Sequence, residues 1–322
     1  MFDLKVGFTC NNNCIHCVVG SKRGTRDFTT DEIREIIQKD VHEGEEVVLT
    51  GGEPTIRHDF INLVHYLNDR GHRVHIQTNG TGFADPRLAE EFSRCDGEVL
   101  LAIHSYREDI HNQIVRTRSD QRNMFQLTMQ GFENLHTYGV KTETQTVLSS
   151  LSIPTLYDTY SFIQKRWPGI YMHMTYPHCM GEAEVNHDIV SVRYSEFRDV
   201  IQRCARDYGR WLLVEAIPLC YLYPYQKDIE YIFDLNILSE SEERRGVDGS
   251  MRGKESHLLD SNGVMKDYNV ADRESKRKAP LCKNCVFDSV CPGVWKEYIE
   301  YFRTRLDLYP VTKEMVENGT SL

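Results

Sequence analysis

Cys10-Asn11-Asn12-Asn13-Cys14-Ile15-His16-Cys17 follows a short apolar segment that ends at Phe8 and predicts the first β-strand. Three thiols at C-x3-C-x2-C spacing can all point into one small concavity, where they could hold a metal or an iron–sulfur cluster. Iron–sulfur clusters are bound by cysteine thiolates, normally four of them. A zinc ion would also need a fourth ligand, which His16 or a distant residue could supply. Three structural core cysteines would be out of place in this polar, Asn-rich loop.

The sequence around this loop alternates strand-like apolar runs with stretches of helical period. Thr29 and Glu32 form a capping-box pattern that opens a helix, and Asp85 before Pro86 predicts another helix start. Six strands joined by helices predict parallel pairing, in an open doubly wound sheet or a β/α barrel. In either fold the reactive site lies on loops after the strand ends. The later predicted strands are residues 47–49, 74–76, 99–103, 140–148 and 170–175.

Composition excludes several classes of protein. The 322 residues include 38 Lys+Arg and 48 Asp+Glu, which makes the formal net charge −10. An acidic chain without a basic block argues against a nucleic-acid-binding surface. No apolar run is long enough to cross a membrane and no signal peptide is visible, so we expect a cytoplasmic protein. The chain has ten cysteines, and in that compartment those grouped at short spacings are expected to be metal ligands or redox groups rather than disulfides.

A second motif, Thr50-Gly51-Gly52-Glu53-Pro54, lies at the end of the second predicted strand. Paired glycines let the backbone approach a ligand closely, and a carboxylate beside them can bind an ammonium group. In this order and on adjacent loops, the two motifs resemble the radical S-adenosylmethionine (SAM) superfamily over residues 1–180. The resemblance implies an α/β fold, a partial (β/α)6 TIM-like barrel, in which Cys10, Cys14 and Cys17 ligate a [4Fe–4S] cluster.

The resemblance also implies a reaction. The open iron would chelate SAM through its amino and carboxylate groups, and electron transfer would cleave the sulfonium to a 5′-deoxyadenosyl radical that abstracts a substrate hydrogen. The cofactor does the chemistry, and the protein positions it and excludes water. The residues implied to contact SAM are Gly51, Gly52 and Glu53 at the amino group, His16 near the adenine, Thr78, Asn79 and Gln145 at the ribose, and Arg116, with Arg122 behind it, at the carboxylate.

A second group of cysteines lies in the last part of the sequence. Cys282, Cys285 and Cys291 have C-x2-C-x5-C spacing, which is compatible with zinc or with an iron–sulfur cluster. In a chain with this resemblance, the pattern is similar to the SPASM/Twitch extension, and closer to the shorter Twitch form with one auxiliary [4Fe–4S] cluster. The residues considered for the fourth ligand are Cys220, which is preferred, and Cys179 and Cys204.

These observations predict two domains and an oxidative reaction. Residues 1–185 would be the radical SAM core, and residues 186–322 a Twitch/SPASM-like domain with a polar insertion around 226–278. A fully ligated auxiliary cluster favours electron transfer after hydrogen abstraction, and hence an oxidative modification of a peptide, as in the maturation of ribosomally made peptides. The alternatives are a dehydrogenase or mutase of a small molecule, such as a sugar or amino-acid derivative, and a non-catalytic zinc protein.

Partners follow from the same expectation. An electron donor such as flavodoxin or ferredoxin would reduce the cluster. Since the sequence starts at its first predicted strand, a separate leader-peptide-binding protein would deliver a peptide substrate. Polar side chains near strand ends could act as acid, base or substrate contact, but a structural role is favoured for each, so no catalytic residue is assigned. They are His104, Ser105, Tyr106, Glu143, His173 and Tyr176.

Overall fold

The computed structural model describes residues 1–117, 123–232, 257–259, 265–267 and 275–319. In chain order the strands are β1 (Phe2–Lys5), β2 (Val47–Thr50), β3 (Val74–Thr78), β4 (Gly97–Ala102), β5 (Thr142–Val147), β6 (Met172–Thr175), β7 (Leu212–Glu215), β8 (Tyr231–Ile232), β9 (His257–Leu259), β10 (Met265–Asp267), β11 (Lys276–Arg277) and β12 (Val294–Trp295). Strands β1 to β8 lie side by side in chain order, each parallel to the next, and β9 and β10 extend the sheet beyond β1. Strands β11 and β12 form a separate ladder.

Helices connect the parallel strands, as the alternating pattern predicts. They are α1 (Thr30–Asp40), α2 (Phe60–Asn68), α3 (Pro86–Phe92), α4 (Glu108–Val115), α5 (Met124–Thr137), α6 (Leu156–Arg166), α7 (Glu182–Val185), α8 (His187–Val190), α9 (Tyr194–Tyr208), α10 (Leu219–Leu222), α11 (Lys296–Phe302) and α12 (Lys313–Glu317). Within the described ranges every helix is too short or too polar to span a membrane.

The predicted helix starts are confirmed. At α1, the Glu32 amide donates to the Thr29 side chain, and the Thr29 amide donates back to the Glu32 carboxylate over 2.8 Å. At α3, Pro86 occupies the first helical position and the Asp85 side chain accepts from the Arg87 amide over 3.0 Å. Local sequence therefore determines where these helices begin, because each cap satisfies backbone amides that have no partner inside the helix.

The mostly parallel α/β fold is confirmed, and the five later predicted strands coincide with β2 to β6. The first strand ends at Lys5 rather than Phe8, because the Phe8 and Thr9 amides donate to the Asp27 carboxylate (2.7 and 2.9 Å). The sheet continues past the sixth strand with β7 and β8. The division of the chain at residue 185 stays a prediction, and most of the predicted insertion, 226–278, lies outside the described residues.

The two faces of the sheet differ in polarity. On β3, Val74 and Ile76 are fully buried in the core with Phe60, whereas His75 and Gln77 alternate with them and face the other side. We call that other side the inner face. On β5 and β6 its residues are Glu143, Gln145, His173 and Thr175. The inner face is thus lined by polar side chains below the loops where the predicted site lies.

Charged residues form a network at the end of the inner face opposite these loops. The Nδ1 atom of His75 lies 2.6 Å from Glu98 Oε1, and Lys141 Nζ lies 2.6 Å from Glu98 Oε2. Burial alone would lower the pKa of His75, but Glu46 and Glu98 outweigh it and raise the pKa to about 9. Burial would raise the pKa of Glu98, but His75 and Lys141 lower it to about 2. Both residues are therefore charged near neutral pH.

The network makes stability depend on pH. Because its folded pKa is raised, His75 contributes stability that is complete below its unfolded pKa of 6.5 and is lost as pH rises through about 9. Glu98 contributes stability that is complete above 4.5 and is lost as pH falls through about 2. We expect His75→Gln to lower the free energy of unfolding by about 3 kcal/mol at pH 6, and by much less at pH 9.5. Urea unfolding at both pH values measures the difference, and an equal loss at both would contradict it.

Candidate active site

The loop between β1 and α1, residues 6–29, is called the cysteine loop and carries the first three predicted ligands. Cys10, Cys14 and Cys17 are each partly buried. They lie close enough that, besides burial, neighbouring thiols raise the pKa values of Cys10 and Cys14. Burial, and then the nearby Cys10 and Cys17, raise the pKa of the Cys14 thiol. Burial, and then Glu53, raise the pKa of Cys10 to about 11. Thiolates that disfavour one another in this way suit a cationic metal centre, whose charge stabilises them.

Backbone hydrogen bonds hold the cysteine loop between two helices. The Ile15 amide donates to the Ile114 carbonyl over 3.0 Å at the end of α4, and the Glu182 amide of α7 donates to the Cys17 carbonyl over 2.9 Å. Ile15 is fully buried in a small apolar cluster of its own, with Ile114, Ala183 and Val190. The one apolar side chain between the second and third cysteines is therefore the anchor of the loop.

The paired glycines join the loop after β2 to the cysteine loop. The Gly52 amide donates to the Gly7 carbonyl over 2.8 Å, and the Glu53 amide donates to the Thr9 carbonyl over 2.9 Å. A Cβ atom on Gly52 would lie 2.0 Å from the Thr9 oxygen, and one on Gly51 would lie 2.3 Å from the Gly7 oxygen. The sequence suggested that glycine is needed here so that a ligand can approach the backbone. In the structure, glycine is needed because the backbone of the cysteine loop itself packs against Gly51 and Gly52.

Gly52→Ala is expected to disturb both loops, because the added methyl would overlap a backbone oxygen that cannot move alone. We expect a loss of about 1–3 kcal/mol in the free energy of unfolding, measured by urea denaturation, and a lower iron content after reconstitution. Gly24→Ala is the comparison for strain without crowding, since a Cβ there meets nothing within 4 Å while its φ of +72° costs alanine about 1 kcal/mol. If Gly52→Ala lost no more stability than Gly24→Ala and kept its iron content, crowding at Gly52 would be unimportant.

Glu53 ties the loop after β2 to the end of β3 through its carboxylate. Its side chain is 3% exposed, and Oε1 accepts from the hydroxyls of Thr55 and Thr78, both over 2.6 Å. Its Oε2 accepts from the Asn79 amide over 2.7 Å. Burial raises the pKa of Glu53, and these hydrogen bonds oppose the rise. The structure thus brings together Glu53, Thr78 and Asn79, which the sequence predicted as SAM contacts, but in this structure they bind one another.

Asn79 also links the loop after β3 to the cysteine loop. The side-chain nitrogen of Asn79, Nδ2, donates to Asn11 Oδ1 over 2.7 Å. The side-chain nitrogen of Asn11 in turn donates to the Thr81 hydroxyl over 2.8 Å. Thr81 closes the ring by donating to Asn79 Oδ1 over 2.7 Å. Asn11, directly after the first cysteine, is therefore hydrogen-bonded to the loop after β3. The spacing of residues within the cysteine motif could not reveal this contact.

The remaining predicted contacts lie around this centre. Gln145 is on the inner face, where its amide nitrogen donates to the Thr175 hydroxyl over 3.1 Å. Arg116 ends α4 with φ at +43°, and its exposed guanidinium donates to Asn186 Oδ1 over 3.1 Å. Its carbonyl accepts from the Asn13 amide over 2.7 Å, so Arg116 adjoins the cysteine loop through its backbone. Arg122 lies outside the described residues.

Three histidines stack behind the cysteine loop. The rings of His16 and His104 meet edge to face at 4.6 Å between centroids, and those of His104 and His111 stack at 5.7 Å. Burial lowers the pKa of His16 to about 4 and of His111 to about 3, and it lowers that of His104 well below its usual value. All three are therefore neutral near pH 7, and they present imidazole edges without adding charge beside the thiols. The sequence singled out His16 and His104 separately but gave no signal that they touch.

A second pair joins two residues that the sequence also named singly. His173 Nε2 lies 2.6 Å from Glu143 Oε2, across β5 and β6 on the inner face. Next to it, toward the strand ends, is the Gln145–Thr175 pair. The structure therefore pairs two side chains that lie thirty residues apart in the sequence.

The four cysteines predicted for the second group line one pocket. Cys220 lies on α10, Cys282 in the short 3-10 helix Pro280–Asn284, and Cys285 and Cys291 follow it. Burial, then Cys291 and the other two thiols, raise the pKa of Cys220. The rest of the wall is mostly apolar and includes Pro218, Leu281, Phe287, Val294, Leu308 and Pro310. Cys220 lies more than sixty residues before Cys282 in the sequence, so sequence spacing could not show that it shares a pocket with the other three cysteines.

The other cysteines lie elsewhere. Cys204 is fully buried in the core on α9, and Cys179 lies 3.7 Å from the Ser191 hydroxyl. Cys95 contacts His65 at 3.7 Å. None of them lines the pocket of Cys220. Across the described ranges, no three His, Cys, Asp or Glu side chains are arranged to hold a single metal ion.

Comparison with known proteins defines the class of this fold and site. Residues 4–161 match the family model of the Radical SAM superfamily, and this part of the chain is a radical SAM domain. The family implies a [4Fe–4S] cluster and SAM, and the chemistry of the site fits that group: three clustered thiols on one loop, joined by backbone hydrogen bonds to the Gly-Gly-Glu loop.

Individual relatives are more distant. The AdoMet-dependent heme synthase of Methanosarcina barkeri is 28% identical over 162 residues, which cover 48% of this chain and 44% of that protein. Mycofactocin maturase MftC of Mycolicibacterium smegmatis is 30% identical over 135 residues, which cover 41% of this chain and 33% of that protein. The chain thus matches less than half the length of these relatives.

Solved structures share the fold along much of the chain. The structure of anSMEcpe with bound AdoMet and the Cp18Cys peptide has a TM-score of 0.61 and 15% identity, covering 99% of both chains. Streptococcus suis SuiB bound to precursor peptide SuiA has a TM-score of 0.59 and 14% identity, covering 91% of this chain and 71% of SuiB. At these identities the likeness establishes the fold alone.

Proposed function

We propose that this radical SAM enzyme carries out an oxidative modification of a peptide. The observation that carries the proposal is that backbone hydrogen bonds join the cysteine loop to the Gly51-Gly52-Glu53 loop at the strand ends. When bound there, the cluster and SAM would supply one-electron cleavage of the sulfonium and hydrogen abstraction from the substrate. Cys10, Cys14 and Cys17 would hold the cluster.

The chain's own residues would position SAM and keep water out. Glu53 organises the ends of β2 and β3, and the partly buried His16 and the buried His104 would form an uncharged wall beside the thiols. The remaining SAM contacts are proposed by position in the motifs. They are Gly51 and Gly52 at the amino group, Thr78, Asn79 and Gln145 at the ribose, and Arg116 at the carboxylate.

We propose further that Cys220, Cys282, Cys285 and Cys291 hold an auxiliary [4Fe–4S] cluster in a Twitch-like domain. Four thiols in one largely apolar pocket are the complete ligand set of such a cluster. With all four positions supplied by protein, this centre would accept an electron rather than bind substrate. That favours a net oxidation as the outcome.

A peptide is the favoured substrate. Support comes from mycofactocin maturase MftC among the relatives, and from two structural neighbours solved with a peptide, SuiB with SuiA and anSMEcpe with the Cp18Cys peptide. A small molecule is the second candidate, since the matches include a heme synthase and a probable GTP 3′,8-cyclase. A separate leader-peptide-binding protein and a flavodoxin or ferredoxin donor remain predictions.

Anaerobic reconstitution tests the proposed chemistry. Two clusters predict about eight iron and about eight sulfide per chain, with dithionite-dependent cleavage of SAM to 5′-deoxyadenosine. Bound zinc without SAM cleavage would overturn the proposal in favour of a structural zinc protein. Transfer of deuterium from a labelled peptide into 5′-deoxyadenosine would then identify the substrate class, and transfer from a small molecule alone would exclude a peptide.

A further inference from the structure

A partly buried positive charge lies on the cysteine loop itself, six residues after the third cysteine. The Nε atom of Arg23 is enclosed by protein and has no hydrogen-bond partner within the described residues. Across the same ranges, no carboxylate forms an ion pair with the Arg23 guanidinium. A guanidinium stays protonated in proteins, and burying a charge is costly unless it is paired. The burial of Arg23 therefore requires a negative group other than the described carboxylates.

Backbone hydrogen bonds fix the position of Arg23 relative to the third cysteine. The Gly20 amide donates to the Cys17 carbonyl over 3.1 Å, and the Arg23 amide donates to the Gly20 carbonyl over 3.2 Å. Two consecutive turns thus connect Cys17 to Arg23. Gly181, directly before α7, packs against these turns so closely that a Cβ there would lie 2.5 Å from the Val18 carbonyl oxygen. The segment that carries Arg23 is therefore held in place beside the cysteines.

The charge of Arg23 acts on three residues of the cysteine loop. Burial, and then Glu53, raise the pKa of Cys10, whereas Arg23 lowers it. Burial, and then the other two thiols, raise the pKa of Cys14, and Arg23 again lowers it. Burial, and then Arg23, lower the pKa of His16. Because one charge acts on all three residues, its guanidinium lies near the place where the thiols meet.

Other cations around the cysteine loop are engaged with groups of the protein. Arg57 donates from Nε and one terminal nitrogen to the Asp59 carboxylate over 3.0 and 2.9 Å. The guanidinium of Arg116 is exposed and donates to Asn186 Oδ1 over 3.1 Å. The charge of Arg23, by contrast, is available to balance the negative charge of three thiolates.

We propose that the positive charge of Arg23 stabilises the reduced state of the [4Fe–4S] cluster held by Cys10, Cys14 and Cys17, and so raises its reduction potential. This inference rests on the proposed function, since that function assigns the cluster to this loop. Reduction adds one electron to the cluster, and no bond is made or broken. Net charge around a cluster is one of the factors that set its potential, and a nearby cation favours the more negative state.

The reduction potential of the reconstituted cluster tests the proposal without turnover. Arg23→Gln is expected to make one-electron reduction about tenfold less favourable, which lowers the midpoint potential by about 59 mV. Titration with dithionite in the absence of SAM, followed by electron paramagnetic resonance, measures this potential. The signal that changes on later addition of SAM identifies the cluster of the cysteine loop. A loss of folding alone would lower the iron content and would not shift the potential of the clusters that remain.

Two further variants separate the charge of Arg23 from other effects. Arg23→Lys keeps the charge and should change the equilibrium of reduction less than about twofold. Lys22→Gln removes the neighbouring positive charge at the end of the short helix Gly20–Lys22 and is the matched control. It should leave the potential unchanged. A tenfold effect in Arg23→Lys, or equal effects of Lys22→Gln and Arg23→Gln, would overturn the proposal.

Binding of SAM provides an independent readout. An unchanged potential in Arg23→Gln together with a higher Kd for SAM would overturn the proposal, because Arg23 would then bind the SAM carboxylate instead. An unchanged potential and an unchanged Kd would overturn it as well, while leaving the proposed function intact. Absence of any cluster from the cysteine loop of the unsubstituted protein would overturn the proposed function and, with it, this proposal.

Discussion

Replacing Cys10, Cys14 and Cys17 together by alanine is expected to abolish SAM cleavage and to remove about four of the eight iron atoms per chain. All three thiols lie on one loop that is anchored by Ile15, so their removal takes away the ligands without removing the anchor. Iron and sulfide analysis, with chromatography of 5′-deoxyadenosine under dithionite, measures both effects. The loss of cleavage should be complete, because no electron can reach SAM without the cluster.

A matched control separates ligation from general loss of cysteine. Cys95→Ala removes a thiol of similar burial that contacts His65, far in sequence from the cysteine loop. It should keep full iron content and full cleavage. If the triple variant retained about eight iron atoms, the first cluster would not be held by this loop. If it lost all iron, the two cysteine groups would not be independent.

Replacing Cys282 and Cys285 together by alanine should remove the other four or so iron atoms while dithionite-driven cleavage of SAM continues. The reason is that the two groups lie on different elements. These thiols line the pocket with Cys220 and Cys291, whereas the cysteine loop follows β1 and is hydrogen-bonded to α4 and α7. Iron analysis and electron paramagnetic resonance of the reduced protein measure the loss of one of two cluster signals. Product formation from substrate should stop, since the electron acceptor is gone.

The fourth ligand can be tested by single substitutions. Cys220→Ala should reproduce the iron loss of the double variant, because it shares the pocket. Cys179→Ala and Cys204→Ala should not, since Cys179 contacts Ser191 and Cys204 is buried in the core on α9. If iron content falls with Cys179→Ala and not with Cys220→Ala, the proposed ligand set is wrong. An unchanged iron content in the double variant would exclude an auxiliary cluster altogether.

Much of the fold could be predicted because its signals are local. The capping box at Thr29 and Glu32 and the proline at the start of α3 are complete within four residues, and both helices begin there. Strands β2 to β6 are short segments, most of which place apolar residues in the core, and the helical stretches between them mark where each one ends. The continuation of the sheet into β7 and β8 was less evident, since nothing in the sequence of Leu212–Glu215 indicates which strand it pairs with. In the structure, β7 pairs with β6.

The sequence predicted a set of ligands for the site but not the contacts that connect its loops. Motif spacing singled out the cysteines, Glu53 and Asn79, because each is recognisable from a few neighbouring residues. The bond from Asn79 to Asn11 joins residues sixty-eight apart, and the His16–His104 contact joins two different strand ends. No periodicity or spacing encodes such contacts. They arise only when parallel strands bring their carboxyl ends to one edge.

The sequence by itself determined the type of chemistry, because thiols at C-x3-C-x2-C spacing beside Gly-Gly-Glu-Pro are specified by local residue order. Tertiary structure alone decided three further features: the contact of Gly52 with Thr9, the pairing of Glu143 with His173, and the shared pocket of Cys220 and Cys282. The physical reason is that a motif fixes distances over a few residues of backbone. Contacts between distant segments depend instead on which strands and helices pack together.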